Sequence, residues 1–316
     1  MRWTKPLLAL ACITALTTSI AACSTPTSPP PSAPTVDGST RTNALAAMHG
    51  EALAHAKYQA YAAQAQQAGH QQAAQAFTSA ADAELSDHFT GEANLISLVS
   101  NNAAANLQDA IAGESYEVNT MYPEFARQAA TAGDQAAANL FTEIAQDEAG
   151  HMKAFQTALD AINNPGSGLG IPSVSSNAAL PIPPGPAQSS GPTLTNLRTA
   201  MQGEAYAYAK YTLYAQQARR SGNPALAELF TKTAQMELGE HFAEEATLAG
   251  LVGDTAANLN DAIAGEKHEA TTMYPDYARQ ANKVGDQQAA QLFTEIANDE
   301  KAHQQAFEAA LQILPR

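Results

Sequence analysis

At 316 residues the chain has room for about two domains, and its Ala- and Gln-rich composition, with one Trp, favours long helices over sheet. A formal charge of −15 leaves no basic stripe to neutralise phosphates, which excludes a nucleic-acid partner. The two cysteines, Cys12 and Cys23, both lie near the start, so the rest of the chain has neither a disulfide nor a Cys-based metal site.

The chain opens on Arg2 and Lys5, followed by an apolar run from Leu7 to Ile20 that is short for a bilayer span. Ile20-Ala21-Ala22-Cys23 comes next, with small residues just before the cysteine. This is a secretory signal pattern. It resembles the signal of bacterial lipoproteins, which implies cleavage before Cys23 and lipid on that residue. Residues 1–22 are read as signal, and 23–41, rich in Pro, Ser and Thr, as a disordered tether. The expected location is outside the cytoplasm, anchored to the bacterial cell envelope through the lipid on Cys23.

Two blocks follow, 42–162 and 194–316, separated by a Pro/Gly/Ser-rich linker over 163–193. Each reads as four helices, predicting an all-α fold of two tandem antiparallel four-helix bundles, with the B-to-C connection as the place for a longer crossover. In the first block helix A is expected over about 43–68, ending at Gly69, and helix B over about 71–99. Helix C starts near Asn102 and ends before Gly133. Asp134 is a good N-cap for helix D, which runs to about Asn163. The second block repeats this, with Asn223-Pro224 opening its helix B. Pro123 and Pro275 fall inside helix C, where the missing N–H and the ring bend a helix. Apolar periodicity through Phe125 and Ala129 predicts that this helix is kinked but continuous.

A run of acids and histidines occurs once in each block. Glu51, Glu84 with His88, Glu114 with Glu117, and Glu148 with His151 return as Glu204, Glu237 with His241, Glu266 with Glu269, and Glu300 with His303. The offset is 153 residues for the first two clusters and 152 for the last two. Residues three or four apart share a helix face, and the flanking positions on these faces are apolar: Phe230, Ala234, Phe293 and Ile296. The acids should therefore project into the interior. A single such cluster would be read as a solvated face, but four helices per block with acids in their apolar stripes would not. Carboxylates buried together cannot all stay ionised without cations, and no inward Lys or Arg is apparent to match them. One Glu from each of two helices plus Glu-x-x-His from the other two is a di-iron or di-manganese carboxylate pattern.

Gly50-Glu51 with Tyr58, Ala112-Gly113-Glu114-Ser115-Tyr116-Glu117, Met121-Tyr122-Pro123 and Asp147-Glu148-Ala149-Gly150-His151 resemble the rubrerythrin family. So do Gly203-Glu204 with Tyr211, Ala264-Gly265-Glu266-Lys267-His268-Glu269, Met273-Tyr274-Pro275 and Asp299-Glu300-Lys301-Ala302-His303. The resemblance spans nearly all of both blocks and implies ferritin-like bundles with two di-iron centres, one per bundle; manganese or zinc would fit the same donors. It implies Glu51, Glu84, Glu114, Glu148 and His151 as ligands of the first centre, and Glu204, Glu237, Glu266, Glu300 and His303 as ligands of the second. It also matches Glu117 and Glu269 to the family's carboxylate that joins or leaves the iron with redox state. Tyr58, Tyr122, Tyr211 and Tyr274 occupy family positions near the metals, where a role in orienting a carboxylate is expected. His49, His55 and His70 have no counterparts in the second block and are read as incidental.

Two features depart from the family. Its usual Glu-x-x-His on helix B is here Glu84-Leu85-Ser86-Asp87-His88 and Glu237-Leu238-Gly239-Glu240-His241. Either the acid at the family's His position ligates, or the His one residue later does. The reading adopted here places Asp87 and Glu240 on the metal, with His88 and His241 behind them. Second, rubrerythrins commonly carry a rubredoxin-type domain holding one iron with four cysteines, and this chain has no Cys-x-x-Cys. The expected function is reduction of hydrogen peroxide by an external electron donor, or oxidation of Fe(II) by peroxide or oxygen. The other expectation is a metal-scavenging protein of the envelope that uses the same ligands without turnover. The two bundles are expected to pair within the chain, since the linker keeps their effective concentration high.

Overall fold

The computed structural model describes residues 36–175 and 179–315. The signal segment, Cys23 and most of the tether lie outside the described residues. Among those described, the chain is helix and loop without a strand.

Helix A is α1 (Gly38–Gln67), so the last residues assigned to the tether are already helical, and Asp37 caps them by accepting a hydrogen bond from the Ser39 N–H. Helix B is α2 (Gln71–Ala83), a single π-helical turn over Glu84–Phe89, and α3 (Thr90–Leu95). Helix C is α4 (Ala103–Tyr116), a π-turn over Glu117–Met121, and α5 (Tyr122–Ala132). Helix D is α6 (Gln135–Asn163), capped by the Asp134 side chain on the Ala137 N–H. The second half repeats the series: α7 (Gly191–Arg220), α8 (Pro224–Met236), a π-turn over Glu237–His241, α9 (Phe242–Ala249), α10 (Thr255–His268), a π-turn over Glu269–Met273, α11 (Tyr274–Val284) and α12 (Gln287–Gln312). The expected continuity of helix C holds. Pro123 and Pro275 sit in the first turn after the π-turn, where a lost N–H is accommodated by the changed bonding pattern.

The helices form two four-helix bundles, but the bundle boundaries do not coincide with the sequence blocks. Helices α1–α3 pack against α10–α12, which come from the other half of the chain. Helices α4–α6 pack against α7–α9. Cross-half side-chain bonds fix this pairing: Tyr211 on α7 donates to Glu114 on α4 at 2.6 Å, and Tyr61 on α1 donates to Asp261 on α10 at 3.0 Å. Bundle II (α4–α9) is thus contiguous in the chain, and bundle I is built from the two ends. The reading of 42–162 and 194–316 as self-contained bundles is corrected accordingly.

Chain length explains the exchange. The ferritin-like bundle needs one long crossover, between its second and third helices. Helix B spans residues 71–95, about 37 Å at 1.5 Å per residue. The B-to-C connection, residues 96–102, reaches at most about 25 Å when fully extended. It cannot return C along its own hairpin. The linker 164–190 can reach about 90 Å, and it supplies the crossover inside bundle II instead.

The described residues 179–190 of that linker are docked. The Leu180 N–H donates to the Gly239 carbonyl at 2.7 Å, Gly185 to Val252 at 2.9 Å and Gln188 to Leu248 at 2.9 Å. Gly250 has φ +63°, and a Cβ there would lie 2.2 Å from the Ala187 nitrogen, so only glycine fits beneath the linker. The bundles meet where α1 packs on α7. Alanines such as Ala44, Ala47, Ala52, Ala200, Ala205 and Ala209 are buried along these two helices and let their backbones approach closely.

Candidate metal centres

Each bundle carries one cluster of buried acids and histidines midway along its helices. In bundle I, Glu51 comes from α1, Glu84 and His88 from the π-turn of helix B, and Glu266, Glu300 and His303 from α10 and α12. In bundle II the set is Glu204, Glu237 and His241 with Glu114, Glu148 and His151. The ligand residues named from the sequence are therefore brought together, but with the helix C and D members exchanged between centres. Glu51 and Glu84 share a site with Glu266, Glu300 and His303, not with Glu114, Glu148 and His151.

The geometry resolves into two adjoining foci per site. His88 Nδ1 lies 2.8 Å from Glu84 Oε2, 3.1 Å from Glu300 Oε1 and 3.5 Å from Glu51 Oε2. His303 Nδ1 lies 3.1 Å from Glu300 Oε2, 3.2 Å from Glu84 Oε1 and 3.5 Å from Glu266 Oε2. Glu84 and Glu300 thus give one oxygen to each focus, while Glu51 and Glu266 each belong to one. Bundle II repeats the scheme, with Glu237 and Glu148 shared, Glu204 beside His241 and Glu114 beside His151. In every focus the four donor atoms lie within 4.8 Å of one another.

An imidazole nitrogen carries at most one proton and can satisfy one carboxylate, not three. The clustered acids are at most 1% exposed, and among the described residues Glu84 Oε1, Glu114 Oε2, Glu148 Oε1, Glu204 Oε2, Glu237 Oε1, Glu266 Oε2 and Glu300 Oε1 have no hydrogen-bond partner. Burial drives Glu84 well above the usual carboxylate range, and Glu300 and Glu51 add to the shift. Burial also raises Glu300, but the neighbouring His303 and His88 imidazoles outweigh it and hold Glu300 at about 2. Burial likewise opposes the charge on Glu148, yet His241 and His151 keep it well below the usual range. So many facing acids in a dry interior call for cations, and the mixed N/O donor set with two bridging carboxylates fits a pair of first-row transition ions.

Helix B decides between the two alternatives left by the sequence. Asp87 is exposed and Glu240 half-buried, and neither belongs to a focus, whereas His88 and His241 are buried and do. The assignment of Asp87 and Glu240 as ligands is corrected. The π-turn is the reason: it takes up one extra residue, so a His at the fourth position after Glu points where an α-helix would put the third. The far nitrogens of His88 and His241 face Asp299 and Asp147, at 3.7 and 3.8 Å.

Glu117 and Glu269 stand beside the foci without joining them. Each is half-buried over a glycine of the facing helix, Gly203 and Gly50 respectively, at 3.7 Å from where a Cβ would be. Burial raises both well above the ordinary range. The four tyrosines each donate to a clustered carboxylate from the other half: Tyr58 to Glu266, Tyr211 to Glu114, Tyr122 to Glu204 and Tyr274 to Glu51. Two lysines do turn inward, contrary to the sequence reading. Lys210 is 7% exposed, but its ammonium pairs with Asp109 at 2.9 Å, and Lys57 pairs with Asp261 at 2.9 Å. They hold helix C against helix A, and neither ammonium is paired with an acid of the foci. His49 stacks on Tyr206, His55 bonds the Ala81 carbonyl, and His70 bonds Thr255; none belongs to a focus. A cavity of about 290 Å³, lined by Gly113, Glu117, Gly203, Lys210 and Tyr211 among others, opens beside the bundle II cluster.

Sequence reasoning missed Glu92 and Glu245, both 0% exposed. They lie four residues beyond His88 and His241, on the same face, and the repeat at an offset of 153 was the available signal.

Adjoining foci that share two carboxylates inside four helices match the ferritin-like class of carboxylate bundle. Within that class the rubrerythrin family pattern matches residues 43–159 and again 195–311, and the chain belongs to the rubrerythrin family. A rubrerythrin of Nitratidesulfovibrio vulgaris is 37% identical over 128 residues, covering 36% of this chain and 66% of that relative. A rubrerythrin of Porphyromonas gingivalis is 36% identical over 132 residues, covering 38% of this chain and 66% of the relative. Nigerythrin of N. vulgaris is 36% identical over 133 residues, with the same coverage. The chain spans just under two thirds of the length of these relatives.

Proposed function

We propose that this chain is a di-iron protein with two centres that reduces hydrogen peroxide, oxidises Fe(II), or does both, in oxidative-stress defence or iron handling at the cell envelope. The observation that carries the reading is the doubled pair of foci sharing Glu84 with Glu300, and Glu237 with Glu148. Two iron ions would supply the two electrons that peroxide reduction consumes, by passing together between the ferrous and ferric states. The residues do the rest. Glu84, Glu300, Glu237 and Glu148 would bridge the ions, and His88, His303, His241 and His151 would complete one focus each. The tyrosines hold one oxygen of each terminal carboxylate, leaving the other for the metal. Glu117 and Glu269, poised above small residues, have room to swing toward the foci as the charge of the centre changes. The buried, apolar surroundings keep bulk water out, and the cavity beside Glu117 admits a molecule as small as peroxide.

Electrons would come from an external donor or from Fe(II) itself. Anchoring through lipid on Cys23 rests on the sequence pattern alone. The test is metal content and peroxide consumption of residues 36–316 after iron reconstitution. Two irons per bundle and oxidation of the bound Fe(II) by peroxide are expected. Less than one metal per bundle would sink the proposal, and bound iron inert to peroxide would favour a metal-holding protein instead.

A further inference from the structure

Tyr274 and Tyr122 each stand between two carboxylates. The Tyr274 hydroxyl contacts Glu51 Oε1 and lies 3.0 Å from Glu92 Oε1. The Tyr122 hydroxyl contacts Glu204 Oε1 and lies 3.1 Å from Glu245 Oε1. Among the described residues, neither Glu92 nor Glu245 belongs to a focus, and each keeps its second oxygen buried without a hydrogen-bond partner. A phenol has one proton and gives it to one acceptor. The ligand carboxylate is the nearer of the two. The contact with Glu92 then requires a hydrogen on the Glu92 side, as an acid O–H donating to the phenol oxygen. Full burial, with the Glu51 or Glu204 carboxylate close by, favours that neutral form over the opposing pull of His88 or His241.

We infer that Glu92 and Glu245 are positioning residues: each donates to the tyrosine on helix C, which in turn donates to the ligand glutamate on helix A. The chain runs Glu92 to Tyr274 to Glu51, and Glu245 to Tyr122 to Glu204. Its effect is to pin Oε1 of the ligand, so that Oε2, the oxygen in the focus with His88 or His241, alone is offered to a metal. The other terminal ligands lack this backing. Tyr58 and Tyr211 hold Glu266 and Glu114, and among the described residues no second carboxylate is bonded to either phenol. The two positions within each site therefore differ, one braced by three linked groups and the other by two.

The inference rests on the metal reading above, and its test separates the two. Co(II) titration of the full chain would be followed for wild type, Glu92→Leu, Glu92→Gln, Tyr274→Phe and the Glu92→Leu/Tyr274→Phe double variant. Glu92→Leu should weaken one Co(II) position about 10- to 100-fold, the usual cost of losing a group that orients a ligand. Glu92→Gln, whose amide N–H can still donate to the phenol, should stay near wild type. The double variant should bind no more weakly than Tyr274→Phe alone, because both act on one chain of bonds. Unchanged binding by Glu92→Leu, or additive losses in the double variant, would overturn the inference. Glu245→Leu with Tyr122→Phe repeats the comparison in bundle II should Glu92→Leu not fold. A second arm needs no metal: the hydroxyl proton resonance of Tyr274, assigned by its loss in Tyr274→Phe, should shift in Glu92→Leu, and an unmoved resonance would count against the chain. Wild type that takes up no Co(II) would overturn the metal reading, while this second arm would still decide the hydrogen bonds.

Discussion

Asp87 and His88 are neighbours with opposite roles. Asp87 faces water and His88 closes a focus with Glu51, Glu84 and Glu300. Asp87→Asn should leave metal uptake unchanged, while His88→Asn should weaken one position of bundle I by more than about tenfold, the lower end for disturbing a metal environment. Titration with Co(II) would show it, and loss of metal in Asp87→Asn would restore the acid as ligand. Protonation carries a second expectation. Glu266 is raised to about 7 and Glu204 to about 8, burial leading in both. A raised carboxyl holds a proton in the folded chain that the unfolded chain has released. The stability it adds is fully present below the ordinary value of 4.5 and is lost as pH climbs through about 7 and 8. His151, at about 10, and His303, at about 12, run the same way: burial opposes their charge, but Glu237 and Glu266 with other acids outweigh it. Their contribution is whole below 6.5 and falls as pH rises toward those values. Glu300, at about 2, has the opposite sign, but its contribution is lost only well below pH 5. The Tm of the metal-free chain should therefore fall between pH 5 and 8, whereas metal uptake, which displaces protons, should strengthen over that range. Melts with and without chelator test this, and a metal-free Tm that rises with pH would contradict it.

At the scale of the helix, most of the architecture was legible because it is local. The caps at Asp134 and Asn223, the stop at Gly133 and the apolar spacing of helix D all fall where sequence places them. The π-turns were not legible, since an extra residue in a helix changes no residue type. The late histidine of Glu84-Leu85-Ser86-Asp87-His88 was their one visible trace. Deleting Ser86 removes that extra residue and restores Glu-x-x-His on a plain α-helical turn, with everything beyond it in unchanged register. Metal uptake in bundle I should stay within a few-fold of wild type, and its collapse would show that the π-turn itself is required. Glu92 escaped notice for a related reason. An acid eight positions beyond Glu84 reads as solvated until helix C from the other half covers it with Tyr274.

At the scale of the whole molecule, the pairing of hairpins was hidden by the repeat itself. When helices A and B meet two nearly equal C and D surfaces, side-chain pattern cannot choose, and connection length decides. The short segment at 96–102 against the long linker at 164–190 was in plain view, but its weight appears only when reach is compared with helix length. Residues 101–253 should consequently fold alone as a monomer and bind two metals, carrying Glu114, Glu148, His151, Glu204, Glu237 and His241. Residues 36–165, a complete sequence repeat, should hold no complete site as a monomer. Sedimentation with metal analysis would separate the fragments, and a monomeric, metal-loaded repeat would refute the exchange.

The interrupted layout of bundle I also imposes an order in time. A chain made from its N-terminus delivers α1, α2 and α3 first, with Glu51, Glu84, His88 and Glu92 uncovered. Bundle II is complete once α9 has emerged, and α1 can already rest on α7. The first helices to be synthesised are thus the last to be enclosed, waiting for α12 at the other end. A message cut short after α9 would still yield one complete cluster, and α10 to α12 are needed to complete the other.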